Sequence, residues 1–252
     1  MALNNCTYLI YTHQDYHDIL NLTLRRLKKH FHGVNPFICT NNAKYIHDTY
    51  SEYNATVYEY DDSLPYTSKV LSALKQIKTE YVLFNHDNNI LYKDVHTVVL
   101  NGILDTMTAQ NIDTVRLSYC GITPPDISDS SLVKVNRGGY YLSVFPAFWR
   151  TSSLITLCDK FKNVTYRQFE IGETQHYAAS LKNFYISSTK DYPPYNSVYY
   201  PAFHAIQHGL WCILMHEQEV LELGKEYKIN LNIRGTDGPL RDPKYKAPDF
   251  SL

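Results

Sequence analysis

The chain has 252 residues, enough for one large α/β domain with a substantial buried core. Its 24 Lys and Arg nearly balance its 25 Asp and Glu, which argues against nucleic acid or an anionic membrane as the partner. The five cysteines form neither a disulfide framework nor a CxxC metal motif, and no apolar run approaches the roughly 18 residues of a membrane span. We therefore expect a cytoplasmic protein with no membrane span.

Strand-like and helix-like segments alternate through the first half of the chain. The β-rich run at residues 6–11 precedes apolar residues at helical spacing between Ile19 and Leu27. Further strands are predicted at residues 36–40, 56–60 and 81–86, each separated by a helical segment. Repeated βα units of about 20 to 30 residues predict a parallel sheet with right-handed crossovers.

Each of these strands ends on polar residues. The most informative case is the buried-strand signal at residues 81–84, which stops on Asn85, His86 and Asp87. Open α/β sheets bind ligands at the carboxyl ends of their strands, so Asp87 is expected to face a site. Its oxygens suit a hard cation that carries a nucleotide diphosphate. The alternative is that Asn and Asp simply form the turn after the strand.

The regular alternation breaks after a helix predicted around residues 95–107 and a strand at 114–119. Residues 122–139 are predicted to form a long functional or mobile connection. An extended apolar segment at 140–149, a helix through 154–161 and a helix from about Thr174 to Leu181 follow. The remaining chain is irregular.

Seven short segments stand in a characteristic order between residues 6 and 211. They are the first strand with Thr12 and His13, Asp61 with Asp62, the helix of Lys69, Asn85-His86-Asp87, Phe145 to Arg150, Phe169-Glu170, and His208 to Trp211. This order resembles the GT-A class of nucleotide-sugar-dependent glycosyltransferases, of a small viral or bacterial type. The resemblance implies an α/β fold, a GT-A-like nucleotide-binding sandwich with a central, mostly parallel sheet flanked by helices.

The resemblance also implies how the chain is organised. Residues 1–252 would form a single glycosyltransferase domain. About 1–120 would bind the nucleotide-diphospho-sugar donor, about 121–215 the glycan acceptor, and 216–252 would be a C-terminal extension. The implied cofactor is Mn²⁺ or Mg²⁺.

Metal and donor ligands follow from the same resemblance. The Asp-x-Asp motif of the family falls on Asn85-His86-Asp87, so Asp87 would bind the cation and Asn85 the ribose or a metal-bound water. Asn89 is the partner if the motif starts at Asp87. His208 would bind the cation or the diphosphate, with His204 in reserve. Thr12, His13, Asp61, Asp62 and Lys69 would hold the donor, and Trp149 and Arg150 the acceptor, although aromatic residues in strands are more often core.

Transfer to a hydroxyl group requires a positioned general base, because the pKa of a hydroxyl lies far above neutrality. Glu170 is the candidate, since it follows an aromatic residue and is expected to open a helix whose dipole keeps the carboxylate ionised. Glu173, one turn on, is the alternative. Both are also typical of acids that stabilise a helix N-terminus. A dedicated base implies inversion at the anomeric carbon.

Two other functions compete with this hypothesis. A nucleotidyltransferase that makes sugar nucleotides normally needs a Gly-rich, basic loop early in the chain, and residues 11–18 contain no Gly, Lys or Arg. A non-catalytic carbohydrate-binding or scaffold protein is favoured by the imperfect metal motif and by the 23 Tyr residues. Mn²⁺-dependent hydrolysis of a sugar nucleotide would separate an enzyme from such a protein.

Overall fold

Four parallel strands form the first half of the central sheet in a computed structural model that describes residues 2–117, 132–135, 141–186, 199–238 and 247–251. They are β1 (Cys6–Tyr11), β2 (Pro36–Thr40), β3 (Thr56–Glu59) and β4 (Tyr81–His86), in the order β3-β2-β1-β4. Helices α1 (His17–His30), α2 (Ala43–Tyr50) and α3 (Tyr66–Leu74) connect them. Parallel neighbours need such crossovers, which cover the faces of the sheet.

The second half adds shorter strands with mixed directions. After β4 come β5 (Asn89–Leu91), α4 (Thr97–Gln110), β6 (Thr114–Arg116), β7 (Leu132–Lys134), β8 (Ala147–Arg150) and α5 (Thr151–Lys160). Then follow α6 (Tyr166–Phe169), α7 (Glu173–Ala178), β9 (Asn183–Ile186), β10 (Ala202–His204), β11 (Ile206–Gln207), β12 (Leu210–Trp211) and α8 (Ile213–Tyr227). Most of the connection predicted at 122–139 lies outside the described residues.

Within the described residues, the central sheet has the order β3-β2-β1-β4-β8-β6-β9-β7. Strand β8 runs antiparallel to both β4 and β6, and β7 runs antiparallel to β9. The pairs β3-β2, β2-β1, β1-β4 and β6-β9 are parallel. The predicted α/β class with a central, mostly parallel sheet flanked by helices is therefore confirmed.

Apolar side chains fill both faces of the sheet. One core contains Leu20 and Leu24 of α1 and Leu104 of α4, packed with sheet residues such as Leu83. The other contains Leu71 and Leu74 of α3 and Leu154 of α5, with sheet residues that include Val82 and Trp149. These two layers bury the strands from both sides and fix the strand ends as rigid supports for side chains.

Two small sheets lie beyond the carboxyl end of β4. Strand β10 pairs antiparallel with β5, so that His204 lies opposite Asn89. Strands β11 and β12 form a hairpin whose turn contains His208 and Gly209, both with positive φ. Helix α8 packs behind these strands in a third apolar cluster. This arrangement brings the C-terminal part of the chain over the strand ends of the first half.

Among the described residues, no helix is both long and apolar enough to cross a membrane.

Candidate functional site

A cleft of about 660 Å³ opens at the carboxyl ends of β1 and β4. Its walls come from both halves of the chain: Tyr11, Thr12, His13, Tyr16, Tyr66, Lys69, His86, Asp87, Asn88, Val144, Phe145, Tyr166, Arg167, Glu170, His204, Ile206, Gln207, His208, Gly209 and Met215. The sequence had singled out seven of these as site residues, namely Thr12, His13, Lys69, Asp87, Glu170, His204 and His208. The structure thus brings together candidates that lie far apart in the chain.

Asp87 lies on the floor of the cleft, directly after β4. Its backbone N–H donates to the carbonyl oxygen of Tyr11, and the hydroxyl of Thr12 donates to its Oδ2 at 2.5 Å. The side chain is buried rather than solvent-facing as the sequence suggested, and this burial raises the pKa of its carboxyl group to about 7. A buried carboxylate of this kind gains much from a nearby cation.

Arg234 supplies positive charge behind Asp87. It donates to both carboxylate oxygens of Asp18 and, at 2.8 Å, to the carbonyl oxygen of Asp15, which fastens the C-terminal segment over the loop after β1. Its charge lowers the pKa of Asp87, against the larger effect of burial. No sequence pattern marks Arg234 as a site residue.

His13, Asp62 and Lys69 form one polar network at the edge of the cleft. Lys69 donates to Asp62 Oδ1 at 2.6 Å, and His13 Nε2 lies 3.2 Å from Asp62 Oδ2. These hydrogen bonds lower the pKa of Asp62 to about 2. Asp62 orients the two cleft residues without lining the cleft itself, whereas Asp61 accepts hydrogen bonds within its own turn, from Ser63.

Asn85 and Asn89 lie outside the cleft lining. Asn85 is fully buried and donates to the hydroxyl of Tyr8 at 2.8 Å. Asn89 is also buried, and its Oδ1 lies 3.5 Å from Nδ1 of His204. In the Asn85-His86-Asp87 segment, therefore, the residues that reach the cleft are His86 and Asp87.

His86 is a cleft residue that the sequence analysis did not select. Its Nε2 lies 2.8 Å from the hydroxyl of Tyr66, and aromatic rings including Tyr11 and Tyr166 surround the imidazole. Burial lowers the pKa of His86 to about 3, so the ring is neutral at physiological pH. Side-chain alternation along β4 could not indicate that His86 reaches the cleft, because it groups Asn85 with Asp87 on one face and places His86 on the other.

The two other histidines reach the cleft from the C-terminal part of the chain. His204 ends β10, and its pKa is lowered to about 4, mainly by burial. His208 is exposed in the β11-β12 turn, where its φ of 52° and the following Gly209 fit a tight hairpin. Their spacing of four residues alone would place them on one face of a helix, but His204 lies on a strand and His208 in a turn.

Glu170 stands on the opposite wall of the cleft. The backbone N–H of Val144 donates to its Oε1 at 2.6 Å. Contrary to the sequence prediction, Glu170 follows the end of α6 instead of opening a helix, so a favourable dipole does not explain its position. Glu173 opens α7 but is exposed outside the cleft lining.

Tyr166 lines the cleft close enough to Glu170 and Asp87 for both charges to act on its hydroxyl group. Burial raises the pKa of its hydroxyl group, and the charges of both Glu170 and Asp87 raise it further. Arg167, the next residue of α6, also lines the cleft. The strand-end wall and the α6 wall therefore face the same space.

Trp149 and Arg150 lie at the other end of the sheet. Because β8 is antiparallel to β4, Arg150 pairs with Tyr81, at the start of β4, rather than with the residues near Asp87. Trp149 is 2% exposed in the core, and Arg150 donates to Glu80 at 2.8 Å. Their predicted contact with an acceptor does not fit these positions.

The metal ligands suggested by the sequence converge only in part. Asp87, His204 and His208 line the cleft, but within the described ranges no three His, Cys, Asp or Glu side chains are arranged to hold a metal ion. The neutral imidazole of His204 and the buried carboxylate of Asp87 are suitable donors. These residues fit a cation that takes its remaining ligands from phosphate oxygens and water.

No protein-family model and no curated protein matches the sequence. Solved structures do resemble the fold. A mannosyltransferase of Pyrobaculum calidifontis, PcManGT with GDP-Man and Mn²⁺, matches with a TM-score of 0.51 and 11% identity over 95% of this chain and 67% of its own. TarS 1–349 of S. aureus with UDP-GlcNAc matches with a TM-score of 0.50 and 13% identity, over 93% of this chain and 68% of its own.

A cytidylyltransferase of Leptospira borgpetersenii matches equally well. Its TM-score is 0.51 and its identity 13%, over 94% of this chain and 98% of its own. In other structures of TarS, this chain spans 60% of the 1–349 fragment and 36% of the longer protein. At these identities the comparisons establish a GT-A-like fold, which glycosyltransferases and nucleotidyltransferases share.

Proposed function

We propose that the protein is an inverting glycosyltransferase that moves a sugar from a nucleotide-diphospho-sugar to a glycan hydroxyl with the help of Mn²⁺ or Mg²⁺. The observation that carries the proposal is the pairing of two walls in one cleft. Thr12, His13 and Asp87 lie at strand ends, and Glu170 faces them as a carboxylate held by a backbone N–H. This arrangement supports a charged donor on one side and a base for the acceptor on the other.

The donor would occupy the strand-end wall. His13 and Lys69, oriented by Asp62, offer hydrogen bonds and positive charge to the ribose and the diphosphate. All of these residues belong to the part of the chain, about 1–120, that we assign to the donor. Residues of about 121–215 supply the facing wall, and Arg234 of the extension 216–252 supports Asp87. Because all three parts of the chain contribute to this cleft, the proposal treats residues 1–252 as one glycosyltransferase domain.

Asp87 is the main protein ligand proposed for the cation, with His208 as a second ligand to the cation or to the diphosphate. A divalent cation supplies charge stabilisation to the phosphate oxygens of the leaving group. The neutral imidazole of His204 stays in reserve, as the sequence analysis had it. Burial of Asp87 makes its ionised form depend on this positive charge.

Glu170 would accept the proton of the acceptor hydroxyl as the sugar is transferred. Glu170 and Asp87 line the same cleft, and a base on the side away from the leaving group would give attack that inverts the anomeric carbon. Tyr166 and Phe145 line the same wall and offer aromatic faces to sugar rings. They replace Trp149 and Arg150 as the proposed acceptor contacts.

A cytidylyltransferase is the second candidate, because the L. borgpetersenii enzyme has nearly the same extent as this chain. Its chemistry requires stabilisation of a nucleoside triphosphate. The loop after β1, a short 3₁₀-helix at Gln14–Tyr16, contains no Gly, Lys or Arg for that purpose. The glycosyltransferase is therefore preferred. A cytoplasmic location of the protein, and its membership of a small viral or bacterial type of glycosyltransferase, are predictions from the sequence.

The test combines binding with turnover. UDP-, GDP-, dTDP- and CMP-sugars are screened by thermal shift with and without Mn²⁺, since a ligand stabilises the native state by mass action. The stabilising donor is then incubated with the protein, and release of free nucleotide and sugar is measured. Release of pyrophosphate from CTP, with transfer of its cytidylyl group to an added sugar acceptor, would favour the cytidylyltransferase. Binding without any turnover would favour a non-catalytic carbohydrate-binding protein.

A further inference from the structure

Gln175 on α7 lies next to Glu170 but does not line the cleft. Its Nε2 donates to the carbonyl oxygens of Glu170 and Leu142, both at 2.6 Å. Its Oε1 accepts from the backbone N–H of Leu142 at 2.9 Å. We propose that Gln175 is the positioning residue of the general base Glu170, an inference that rests on the proposed glycosyltransferase function.

The amide of Gln175 takes the place of a strand neighbour for Leu142. Leu142 is fully buried outside any strand, so its backbone N–H and carbonyl groups need partners. One side-chain amide satisfies both. Two residues further on, the N–H of Val144 donates to Oε1 of Glu170. Gln175 therefore holds the segment that orients the Glu170 carboxylate.

The same amide also holds the backbone of Glu170. Helix α6 has only four residues, so the carbonyl groups at its end need partners from the residues that follow it. Gln175 satisfies the carbonyl of Glu170. Thr174 donates to the carbonyls of Gln168 and Ile171, at 3.1 and 2.7 Å. Thr174 and Gln175 both hold the end of α6, but of the two only Gln175 also forms hydrogen bonds to Leu142.

This difference makes Thr174 a matched control. Loss of either side chain removes hydrogen bonds to the end of α6 and destabilises the same region. Loss of Gln175 additionally releases Leu142 and, through it, the Val144 N–H that orients Glu170. A displacement of about 1 Å at a reacting group lowers turnover by as much as about 10²-fold.

The experiment measures kcat, KM and nucleotide affinity of the full chain. Gln175→Leu should lower kcat about 10- to 100-fold while nucleotide affinity, measured by thermal shift, stays within about twofold of wild type. Thr174→Val should lower the melting temperature with a smaller loss of kcat. A Gln175→Leu protein with wild-type kcat, or one matched in kcat by Thr174→Val, overturns the proposal.

A double variant separates positioning from general destabilisation. If Gln175 acts through Glu170, adding Gln175→Leu to Glu170→Gln should lower kcat by less than about twofold more, because residues that act as a unit are not additive. Full additivity overturns the positioning role. If Gln175→Leu does not fold, Gln175→Glu is used, since it keeps the shape but turns both donors into acceptors.

The proposed function itself fails in a different way. It fails if the wild-type protein transfers no sugar from any tested donor, or if Glu170→Gln transfers normally, and the positioning role then falls with it. Both results are visible before any Gln175 variant is assayed. Normal Gln175 variants in an enzyme that needs Glu170 contradict the inference alone.

Discussion

The two walls of the cleft are held in place by different means. Thr12 and Asp87 follow adjacent parallel strands, β1 and β4, which pair in continuous register from Cys6 with Tyr81 to Tyr11 with His86. Glu170, in contrast, follows a helix of four residues, and hydrogen bonds from Val144 and Gln175 help to hold it. The first wall is a direct extension of the core, whereas the second is assembled from side-chain contacts.

This difference separates the expected roles of the walls. A strand end inside a buried sheet moves little, which suits the binding of a donor and a cation at a fixed place. The second wall is held by hydrogen bonds between short separate segments, so small changes there should alter turnover more than affinity. The following predictions test this division, in order of decreasing effect.

The largest effect is expected at Glu170. Glu170→Gln keeps the size of the side chain and can still accept from Val144, but it removes the basic lone pair. Transfer should fall by about 10²- to 10⁴-fold, while donor affinity persists. Steady-state rates and thermal shifts measure the two quantities. A smaller loss than in Glu173→Gln, or a product that retains the anomeric configuration, would remove Glu170 from this role.

The pH dependence of stability should report on Asp87. The native pKa of about 7 exceeds the ordinary value of 3.8, so the folded protein binds the extra proton between these values. Stability due to this group is therefore greatest below about pH 4 and is lost as pH rises toward 7. At 1.36 kcal/mol per pKa unit, the loss is at most about 4 kcal/mol.

Asp87→Asn tests this dependence in the presence of a chelator. The free energy of unfolding of the variant, relative to wild type, should rise between pH 4.5 and 7.5, because the amide cannot ionise. Denaturant unfolding at the two pH values gives the difference. A relative stability that stays constant or falls over this interval would show that Asp87 is not buried as an uncompensated carboxyl.

Donor affinity should also depend on Asp87. Asp87→Ala should remove most of the Mn²⁺-dependent part of nucleotide binding, a loss of about 10- to 100-fold if the residue makes one charge-assisted contact. Titration of nucleoside diphosphate with and without Mn²⁺ measures this part. Unchanged Mn²⁺-dependent binding would eliminate the site assignment.

The histidines of the C-terminal part should have smaller effects. His208→Ala should weaken nucleotide binding by about 3- to 10-fold, the range of one hydrogen bond or ligand at an exposed position. His204→Ala should weaken it less, because His204 also contacts Asn89 away from the cleft. The reverse order would mean that β10, rather than the β11-β12 turn, supplies the ligand.

Arg150→Ala should have the smallest effect on the site. Its ion pair with Glu80 lies at the far end of the sheet, and such partly exposed pairs contribute about 1 kcal/mol or less. A slightly lower melting temperature with unchanged KM for donor and acceptor is expected. A raised acceptor KM would restore the acceptor role that the sequence suggested.

The sequence by itself determined the first wall. Alternating apolar strands and amphipathic helices require a parallel sheet, and the polar residues that follow each strand must then gather at one edge. For this reason Asp87 could be selected from the strand pattern, whereas Thr12 and His13 were assigned to the donor through the family resemblance of their segment. The same periodicity could not have selected His86, because side-chain alternation places it on the opposite face of the strand from both Asn85 and Asp87.

Only the tertiary structure decided the second wall. The antiparallel direction of β8 moves Trp149 and Arg150 to the far end of the sheet, and no local pattern encodes that direction. Glu170 was selected for a helix start that it does not occupy. Its actual supports, Val144 and Gln175, reach it through contacts between separate segments. Such contacts depend on how distant segments pack together, whereas strand ends follow from the periodicity of one segment.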